Sequence, residues 1–190
     1  MRIIETNIKD CLVIYDNYYE DYRGYFKEVF NEKRFYDLTG ITFKVVQENE
    51  SYSIKNVLRG LHFQTGEYTQ AKLVRVTKGS VYDVCVDLRE GSPTYGQHHM
   101  IGLDENDHRQ FFIPRGCAHG FVVLSGDAIF NYKVDNSYNK DSEQGIIYDD
   151  PTIGINWMVD QPIVSEKDME LPNFKDFEEK FGYSNIFGYL

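Results

Sequence analysis

The chain has 190 residues, a length that suits one compact domain with a sizeable core and is short for two. It contains 20 Lys and Arg against 30 Asp and Glu, so the net charge is −10. This charge argues against nucleic acid or an anionic membrane surface as the partner. The hydrophobic fraction of 42% with 26% charged residues is typical of a soluble globular protein and excludes a disordered chain.

The three cysteines, Cys11, Cys85 and Cys117, are scattered and form no Cys-x-x-Cys pair. This pattern argues against a disulfide framework or a structural zinc site and favours a reducing compartment. The first ten residues lack the apolar run of a signal peptide, and no stretch approaches the ~20 apolar residues of a membrane span. We therefore expect a soluble, cytoplasmic protein.

The first clear element along the chain is a short helix over 31–38. Asn31 is an N-cap residue, Phe35 and Leu38 are its apolar positions, and Gly40 lies beyond its end. Strands then follow, separated by Gly, Pro and Asn or Asp. They are predicted over 42–46, 56–58, 72–78, 81–88, 111–114, 120–124 and 128–134.

The segments 72–78 and 81–88 are expected to pair as a hairpin through Gly79-Ser80. Near the carboxyl end, Phe174, Phe177 and Phe181 recur at i, i+3 and i+7, which predicts one face of a short amphipathic helix. No repeat or linker divides the chain. The sequence thus predicts a single domain over 1–190, mainly β, as a sandwich or barrel with short helices at its margins.

A cation and an imidazole, Arg59 and His62, stand three residues apart at the end of an apolar strand. Strict alternation would turn them to opposite faces, but Gly60 permits a bulge that brings both to one cavity. From this pair alone, a surface Arg with a satisfied core His is an equally good interpretation.

Lys72 and Tyr132 share strand parity with apolar neighbours, so both are expected to point inward. Burying an unpaired ammonium is costly, which makes an inward Lys uncommon, whereas an inward Tyr is ordinary core material. Asp83, on the strand expected to pair with the Lys72 strand, is either an inward counter-charge or an exposed carboxylate.

Asp168 admits two interpretations. With Ser165 as N-cap it fits a capping box, in the position that Glu or Gln usually fills. Alternatively, its carboxylate orients an imidazole as a base.

A metal site is not expected. Small β-barrels often bind divalent ions through two His separated by one residue, a Glu soon after and a His on a later strand. The residues after His62 supply no carboxylate, and the next charged strand residue, Lys72, would repel a cation. His98 and His99 are adjacent, so on a strand they point to opposite faces.

Thirteen short segments have a characteristic joint order and spacing. They are 21–28, 47–49, 59–62, 72–74, 81–89, 92–96, 113–121, 132–133, Tyr138, Glu143, 149–151, 155–157 and 165–168. In these segments the chain resembles the dTDP-4-dehydrorhamnose 3,5-epimerase family, from about Asp21 to about Phe174. The resemblance implies a cupin-type jelly roll or β-sandwich, usually a homodimer, that needs neither metal nor organic cofactor.

The resemblance also implies the substrate, the nucleotide sugar dTDP-4-dehydro-6-deoxy-D-glucose, which is inverted at C3 and C5. By position, His62 matches the catalytic base, Asp168 its carboxylate partner, Tyr132 the general acid, and Lys72 the residue near the 4-keto oxygen. The matches to substrate-binding positions are Arg23, Glu28, Gln47, Glu48, Asn49, Arg59, His119, Glu143 and Lys167, with Tyr138 stacking on the base.

These residue types suit the reaction. A proton next to a ketone is acidic only if the enolate is stabilised, so a base, a cation at the oxygen and an acid on the opposite face are all needed. His62, Lys72 and Tyr132 supply them, and Arg23 and Arg59 suit a diphosphate in an otherwise acidic protein.

One residue departs from the pattern: Glu48 stands where many members have Asp, which lengthens a side chain beside the binding positions. A 3- or 5-epimerase acting on another nucleotide-linked 4-keto sugar therefore remains an alternative. A metal-dependent cupin is disfavoured by the ligand pattern. A non-catalytic sugar-nucleotide-binding module is disfavoured because binding alone needs neither an acid nor a base.

Overall fold

The structure, a computed structural model, describes residues 1–181 and 187. The strands are β1 (Arg2–Glu5), β2 (Leu12–Tyr15), β3 (Tyr18–Asp21), β4 (Gly24–Lys27), β5 (Gln47–Ile54), β6 (Leu58–Gln64), β7 (Lys72–Lys78), β8 (Ser80–Asp87), β9 (His98–Asp104), β10 (Arg109–Ile113), β11 (Cys117–Val123), β12 (Asp127–Val134) and β13 (Glu143–Gly145). The helices are α1 (Glu32–Thr39), α2 (Glu166–Met169) and α3 (Phe174–Phe181).

Two antiparallel sheets make up most of the fold. One has six strands in the order β1-β2-β10-β7-β12-β5, and the other has five in the order β13-β6-β11-β8-β9. Strands β3 and β4 form a separate two-stranded hairpin. The prediction of a mainly β, cupin-type jelly roll with short peripheral helices is confirmed.

The main core lies between the two sheets. Val74 and Phe130 of the six-stranded sheet share one buried cluster with Val81, Cys85 and Phe121 of the five-stranded sheet. A second cluster covers the outer face of the five-stranded sheet, where α3 packs, and a third lies under α1. Each sheet thus packs against an apolar cluster on both of its faces, and this packing holds the inward side chains in place.

The two marginal helices form as predicted. The Asn31 side chain accepts a hydrogen bond from the Arg34 backbone N–H at the start of α1, and Gly40 ends the helix in a left-handed conformation. In α3, Phe174 and Phe177 are buried on one face, with Phe181 packed beside them. Among residues 1–181 and 187, no helix is long and apolar enough to cross a membrane.

The predicted hairpin of segments 72–78 and 81–88 is wrong. Strand β7 pairs with β10 and β12, whereas β8 pairs with β9 and β11, so the two strands belong to different sheets. Only Gly79 separates them, which is too short a link for a two-residue hairpin turn. Gly79 has φ +76°, and a Cβ there would lie 2.1 Å from the Asp127 carbonyl oxygen. The chain therefore crosses between the sheets at this glycine, close beside the start of β12.

Two early strands are also placed differently from the prediction. Residues 42–46 are extended but form no strand; Phe43 there is buried in the cluster under α1. The strand that pairs with β12 is β5, which begins at Gln47 and is mostly polar. Asn56 adopts φ +65° in a turn, so the next strand begins at Leu58.

Candidate active site

A cavity of about 530 Å³ opens between the two sheets. Its lining residues come from β5, β6, β7, β11, β12, β13 and α2 and from the loops around Gln70 and Tyr138. They are Gln47, Asn49, Ser51, Arg59, His62, Phe63, Gln64, Gln70, Lys72, His119, Phe121, Phe130, Tyr132, Tyr138, Glu143, Ser165, Lys167 and Asp168. Eleven of the 14 residues singled out from the sequence line this cavity.

A bulge in β6 brings Arg59 and His62 to the same cavity, as predicted. His62 pairs with His119 and Arg59 pairs with Phe121, so two residues of β6, 60 and 61, lie opposite the single residue 120 of β11. Gly60 has φ +125°, and a Cβ at this position would lie 2.6 Å from the Gly120 Cα. A side chain at residue 60 would therefore prevent the two strands from approaching as closely as the bulge requires.

Asp168 contacts the His62 ring. The His62 Nε2 and the Asp168 Oδ1 are 2.8 Å apart, and the two side chains are 27% and 5% exposed. A carboxylate accepts hydrogen bonds, so Nε2 carries the proton and the lone pair remains on Nδ1. The contact therefore orients the His62 ring and leaves Nδ1 as the ring nitrogen that can take up a proton.

Ser165 caps α2 as predicted, but the Asp168 carboxylate contacts His62 instead of returning to the Ser165 backbone N–H, as a capping box requires. The Asp168 backbone N–H donates to Ser165 Oγ at the start of α2, while its carboxylate turns to His62 and accepts from the Gly60 backbone N–H at 3.3 Å. Burial alone would favour the neutral acid, but the hydrogen bonds from His62, Gly60 and Ser165 hold the pKa of Asp168 below its ordinary value. The carboxyl is therefore an anion at neutral pH.

Lys72 crosses the cavity floor from the six-stranded sheet. Its Nζ donates to the His62 carbonyl oxygen at 3.3 Å. Burial lowers the pKa of Lys72 to about 8, and the nearby Asp83, Glu143 and Cys85 oppose that fall. The ammonium is thus charged at neutral pH and poorly neutralised, which suits the stabilisation of a negative charge that forms during a reaction.

Tyr132 approaches from the sheet opposite His62. It lies on β12, next to Asn49 of β5 and Val74 of β7. Burial, and then the charge of Glu143, raise the pKa of the Tyr132 phenol, although Arg59 acts in the other direction. The phenol therefore keeps its proton at neutral pH and is a donor.

Beside these groups, His119 and Asp83 form a second imidazole–carboxylate pair. The His119 Nε2 lies 3.0 and 3.1 Å from the two carboxylate oxygens of Asp83, which is completely buried. Asp83 is therefore the inward counter-charge of the two interpretations left open above. Its strand does not pair with the Lys72 strand but faces it across the sandwich.

Three charged or polar side chains form a chain at the more exposed rim of the cavity. Tyr138 is 51% exposed, and its hydroxyl donates to Glu143 Oε2 at 2.9 Å. The Lys167 ammonium binds the same oxygen. Burial acts against ionisation of Glu143, but hydrogen bonds from Lys167 and Tyr138 keep its pKa below the ordinary value. The Tyr138 ring is thus held at the rim, where a flat ligand group can reach it.

Strand β5 supplies a row of neutral polar groups. Gln47, Asn49 and Ser51 alternate toward the cavity, and Gln47 Nε2 donates to Asn49 Oδ1 at 2.8 Å. Arg59 reaches the same strand, since its Nε donates to Ser53 Oγ at 3.1 Å. The three β5 side chains can bind a polar ligand without adding net charge to the cavity.

Three of the residues singled out lie outside this cavity. Arg23, on the β3–β4 hairpin, forms an ion pair with Asp21. Glu28 binds Arg34 at 2.9 Å. Glu48 points to the opposite face of β5 and pairs with Lys133, so its extra methylene does not change the shape of the cavity.

Sequence reasoning missed several lining residues, among them Ser51, Gln64, Gln70, Phe121 and Phe130. Phe121 and Phe130 stack with ring centroids 4.2 Å apart, and they read as core in the sequence because they are also core in the structure. For Ser51 a usable signal existed: Gln47, Asn49, Ser51 and Ser53 alternate with period two, which is typical of one polar face of a strand.

In residues 1–181 and 187, no three His, Cys, Asp or Glu side chains are grouped as metal ligands. Instead, each cavity histidine is bonded to its own carboxylate, and the Lys72 ammonium lies between the two pairs.

Comparison with known proteins places the chain in a family. A sequence-family model described as dTDP-4-dehydrorhamnose 3,5-epimerase matches residues 5–176. The dTDP-4-dehydrorhamnose 3,5-epimerase of Methanothermobacter thermautotrophicus is 48% identical over 181 residues, which is 94% of this chain and 95% of that protein.

Two solved structures are similar throughout. The dTDP-4-dehydrorhamnose 3,5-epimerase of Elizabethkingia anophelis has a TM-score of 0.90 and 49% identity, covering 93% of this chain and 97% of its own. The dTDP-6-deoxy-D-glucose-3,5-epimerase of Legionella pneumophila, solved in complex with dTDP-4-keto-L-rhamnose, has a TM-score of 0.92 and 43% identity, covering 100% and 98%.

Proposed function

This chain belongs to the dTDP-4-dehydrorhamnose 3,5-epimerase family, and from that premise we propose that it is an isomerase that inverts dTDP-4-dehydro-6-deoxy-D-glucose at C3 and C5. The product is dTDP-4-dehydro-L-rhamnose. The observation that carries the proposal is the placement of the carboxylate-bound His62 imidazole and the Tyr132 phenol on opposite sheets of one cavity, with the Lys72 ammonium beside them.

Inversion needs this placement because the proton must leave one face of the sugar ring and return to the other. His62 removes the proton from C3, the C–H electron pair forms the new double bond between C3 and C4, and the π pair of the carbonyl moves onto the C4 oxygen. The charged Lys72 stabilises that oxyanion. When the oxyanion collapses to the ketone, Tyr132 delivers its proton to C3 from the opposite face.

The same groups can act at C5 once the His62 imidazolium has released its proton to solvent and the Tyr132 phenolate has taken one up. Both C3 and C5 flank the C4 carbonyl, so the enolate of either centre places its negative charge on the same oxygen. Asp168 supports both steps, since its anion stabilises the imidazolium that His62 becomes. We propose that the side chains supply all the proton transfer and charge stabilisation, without metal or organic cofactor.

The rest of the cavity suits the nucleotide. Arg59 is the cation nearest the polar row on β5, where a diphosphate would find both charge and hydrogen-bond donors. Tyr138, held by Glu143 at the rim, would stack on the base. The alternative, inversion of one centre in another sugar, rested on Glu48; because that side chain lies outside the cavity, no structural observation now favours it.

We further propose that the protein is a homodimer built through the β3–β4 hairpin. That hairpin leaves five aromatic side chains largely exposed: Tyr18, Tyr19, Tyr22, Tyr25 and Phe26. Such an apolar surface is costly in a monomer. Arg23 and Glu28, both matched to substrate-binding positions, lie on or next to this hairpin and outside their own cavity, so we propose that they serve the cavity of the partner.

Mixing two inactive variants tests the dimer. His62→Ala and Arg23→Ala homodimers should each be impaired, and a mixture should regain activity because one of the two sites in a hybrid carries both native residues. Absence of recovery, in a mixture shown by mass spectrometry to contain hybrids, would contradict shared sites. A monomeric mass by light scattering would contradict the dimer itself.

We also propose a cytoplasmic location, which the three buried, unpaired thiols fit. Antibody detection in fractionated cells checks this assignment, and recovery of the protein in the membrane or secreted fraction would contradict it.

The activity itself is tested by incubation with dTDP-4-dehydro-6-deoxy-D-glucose in deuterated water. Mass spectrometry should find one deuterium at C3 and one at C5, and NMR should identify the L-sugar. Label at only one centre would favour the single-epimerase alternative. Binding without any label would favour a non-catalytic module.

A further inference from the structure

A second carboxylate, Asp83, lies beneath the cavity and has no part in the mechanism above. It is on β8, completely buried, and receives the His119 ring from the neighbouring strand β11. Across the sandwich it is electrostatically coupled to Lys72. Asp83 thus faces the same interior as His119 and Lys72, both of which line the cavity, without lining the cavity itself.

A carboxylate buried in this position needs hydrogen-bond donors or positive charge nearby to offset the cost of its desolvation. Within the described part of the chain, the only hydrogen-bond donor recorded for the Asp83 oxygens is His119. Burial raises the pKa of Asp83, and the hydrogen bond from His119 and the charge of Lys72 oppose that rise. An apolar residue would fill a buried core position at lower cost, so the carboxylate is best explained by what it does to these two neighbours.

The first neighbour is His119. Because a carboxylate only accepts, the proton must sit on Nε2 of the His119 ring. Burial lowers the pKa of His119, which keeps the ring neutral although Asp83 opposes the effect. No hydrogen bond to Nδ1 is recorded among residues 1–181 and 187, and the ring lines the cavity. The second ring nitrogen is therefore a free acceptor.

The second neighbour is Lys72. The ionisable groups around its ammonium are Asp83 and Cys85 on β8, Glu143 on β13, His119 on β11 and His62 on β6. Asp83 has the largest attractive effect among them. Glu143 is already bound by Lys167 and Tyr138, which leaves Asp83 as the main fixed counter-charge.

We propose that Asp83 is a positioning residue that acts on two groups at once: it holds His119 with the Nδ1 lone pair available to a sugar hydroxyl, and it keeps Lys72 charged for the oxyanion. This proposal rests on the proposed function and extends it to a residue outside the cavity. In this proposal Asp83 on β8 links the His119 ring on β11 to the Lys72 ammonium on β7.

The pH dependence of the rate distinguishes this role from a structural one. Loss of the Asp83 charge removes attraction from the Lys72 ammonium, so the pKa of Lys72 should fall below about 8. The Lys72 ammonium, the active form, then loses its proton at a lower pH than in the native protein. Asp83→Asn should therefore lose more activity at pH 8 than at pH 6.5: a displacement of one unit corresponds to about a fivefold loss of the charged form at pH 8 and only about a 1.3-fold loss at pH 6.5.

Asp87→Asn is the matched control. Asp87 is four residues along β8, equally buried, and binds Arg89, Ser92 and Thr94 rather than the cavity. Its substitution should destabilise the fold without displacing the alkaline limb of the kcat profile. If Asp83→Asn lowers kcat by the same factor at every pH, or if Asp87→Asn displaces the limb equally, the effect on Lys72 is refuted.

The tautomer is read without any activity assay. In protein labelled with ¹⁵N-histidine, the His119 Nδ1 signal, assigned by its loss in His119→Asn, should be that of an unprotonated ring nitrogen. A protonated Nδ1 in the unsubstituted protein would overturn the effect on His119, even if Asp83→Asn fails to fold. If the native protein shows no turnover, the proposed function fails, whereas the tautomer result still stands or falls by itself.

Discussion

The Nε2 of His62 lies 2.8 Å from the Oδ1 of Asp168, although 106 residues separate them in the chain. One residue lies beside a bulge in a central strand, and the other lies in the short helix α2 that packs against that strand. The contact gives the imidazole a fixed orientation and one defined tautomer. It is therefore the basis for assigning His62 as the base.

Asp168→Ala should lower inversion and deuterium exchange together, leaving their ratio unchanged. The carboxylate only orients and stabilises the His62 ring, so every step that uses the ring weakens equally, by up to ~10²–10⁴-fold. Single-turnover reactions in deuterated water measure both quantities at once. Glu166→Ala, at an exposed position in the same helix, is the control and should leave both rates near native values. A changed ratio would mean that Asp168 acts directly on the sugar.

Tyr138→Ala should raise KM more than it lowers kcat. Stacking of a base on an aromatic ring contributes about 1–3 kcal/mol, which affects binding of the nucleotide rather than the reaction at the sugar. Tyr138→Phe keeps the ring and removes only the bond to Glu143, so its KM should stay closer to the native value. The control is Tyr36→Ala, an equally exposed tyrosine on α1. A collapse of kcat with unchanged KM would assign Tyr138 a different role.

Gly60→Ala should destabilise the protein and impair activity more than its size suggests. The added Cβ would lie 2.6 Å from the Gly120 Cα and 2.8 Å from the His119 carbonyl oxygen, on a backbone with φ +125°. We expect a loss in the free energy of unfolding of ~3 kcal/mol or more, because strain and overlap add. Gly126→Ala, where a Cβ meets nothing within 4 Å, is the control. If chemical denaturation gave equal stabilities for Gly60→Ala and the native protein, β6 and β11 would be shown to move apart at the bulge without cost.

Treatment with a strong chelator should leave the rate unchanged. The prediction rests on the residues present: each cavity histidine binds a carboxylate of its own, and an ammonium lies between them. Loss of activity that a divalent cation restores would refute the proposed proton-transfer mechanism.

Local signals in the sequence predicted much of this architecture. The Asn31 cap and Gly40 set the limits of α1 because helix ends depend on nearby residues alone. The spacing of Phe174, Phe177 and Phe181 predicted α3 for the same reason. The bulge at Gly60 was also foreseeable, since only glycine tolerates the conformation that brings Arg59 and His62 together.

Features that depend on distant parts of the chain were not predictable in this way. Strands β7 and β8 are adjacent in sequence but join different sheets, a choice made by their partners β12 and β11. The polar strand β5 was missed because its stability comes from pairing with β12 and not from apolar residues of its own. Asp83 could not be assigned because its partner His119 lies 36 residues away on another strand.

The most direct test of the account compares His62→Ala with Tyr132→Phe in deuterated water. Without the base no enolate forms, so His62→Ala should show neither product nor deuterium exchange. Tyr132→Phe keeps the ring and removes only the proton donor; exchange should persist because His62 returns a solvent-derived deuteron to the original face, while inversion falls by ~10²–10⁴-fold. His99→Ala, on β9 outside the cavity, controls for loss of a histidine as such. The reverse pattern, exchange that survives in His62→Ala and vanishes in Tyr132→Phe, would contradict the assignment of base and acid.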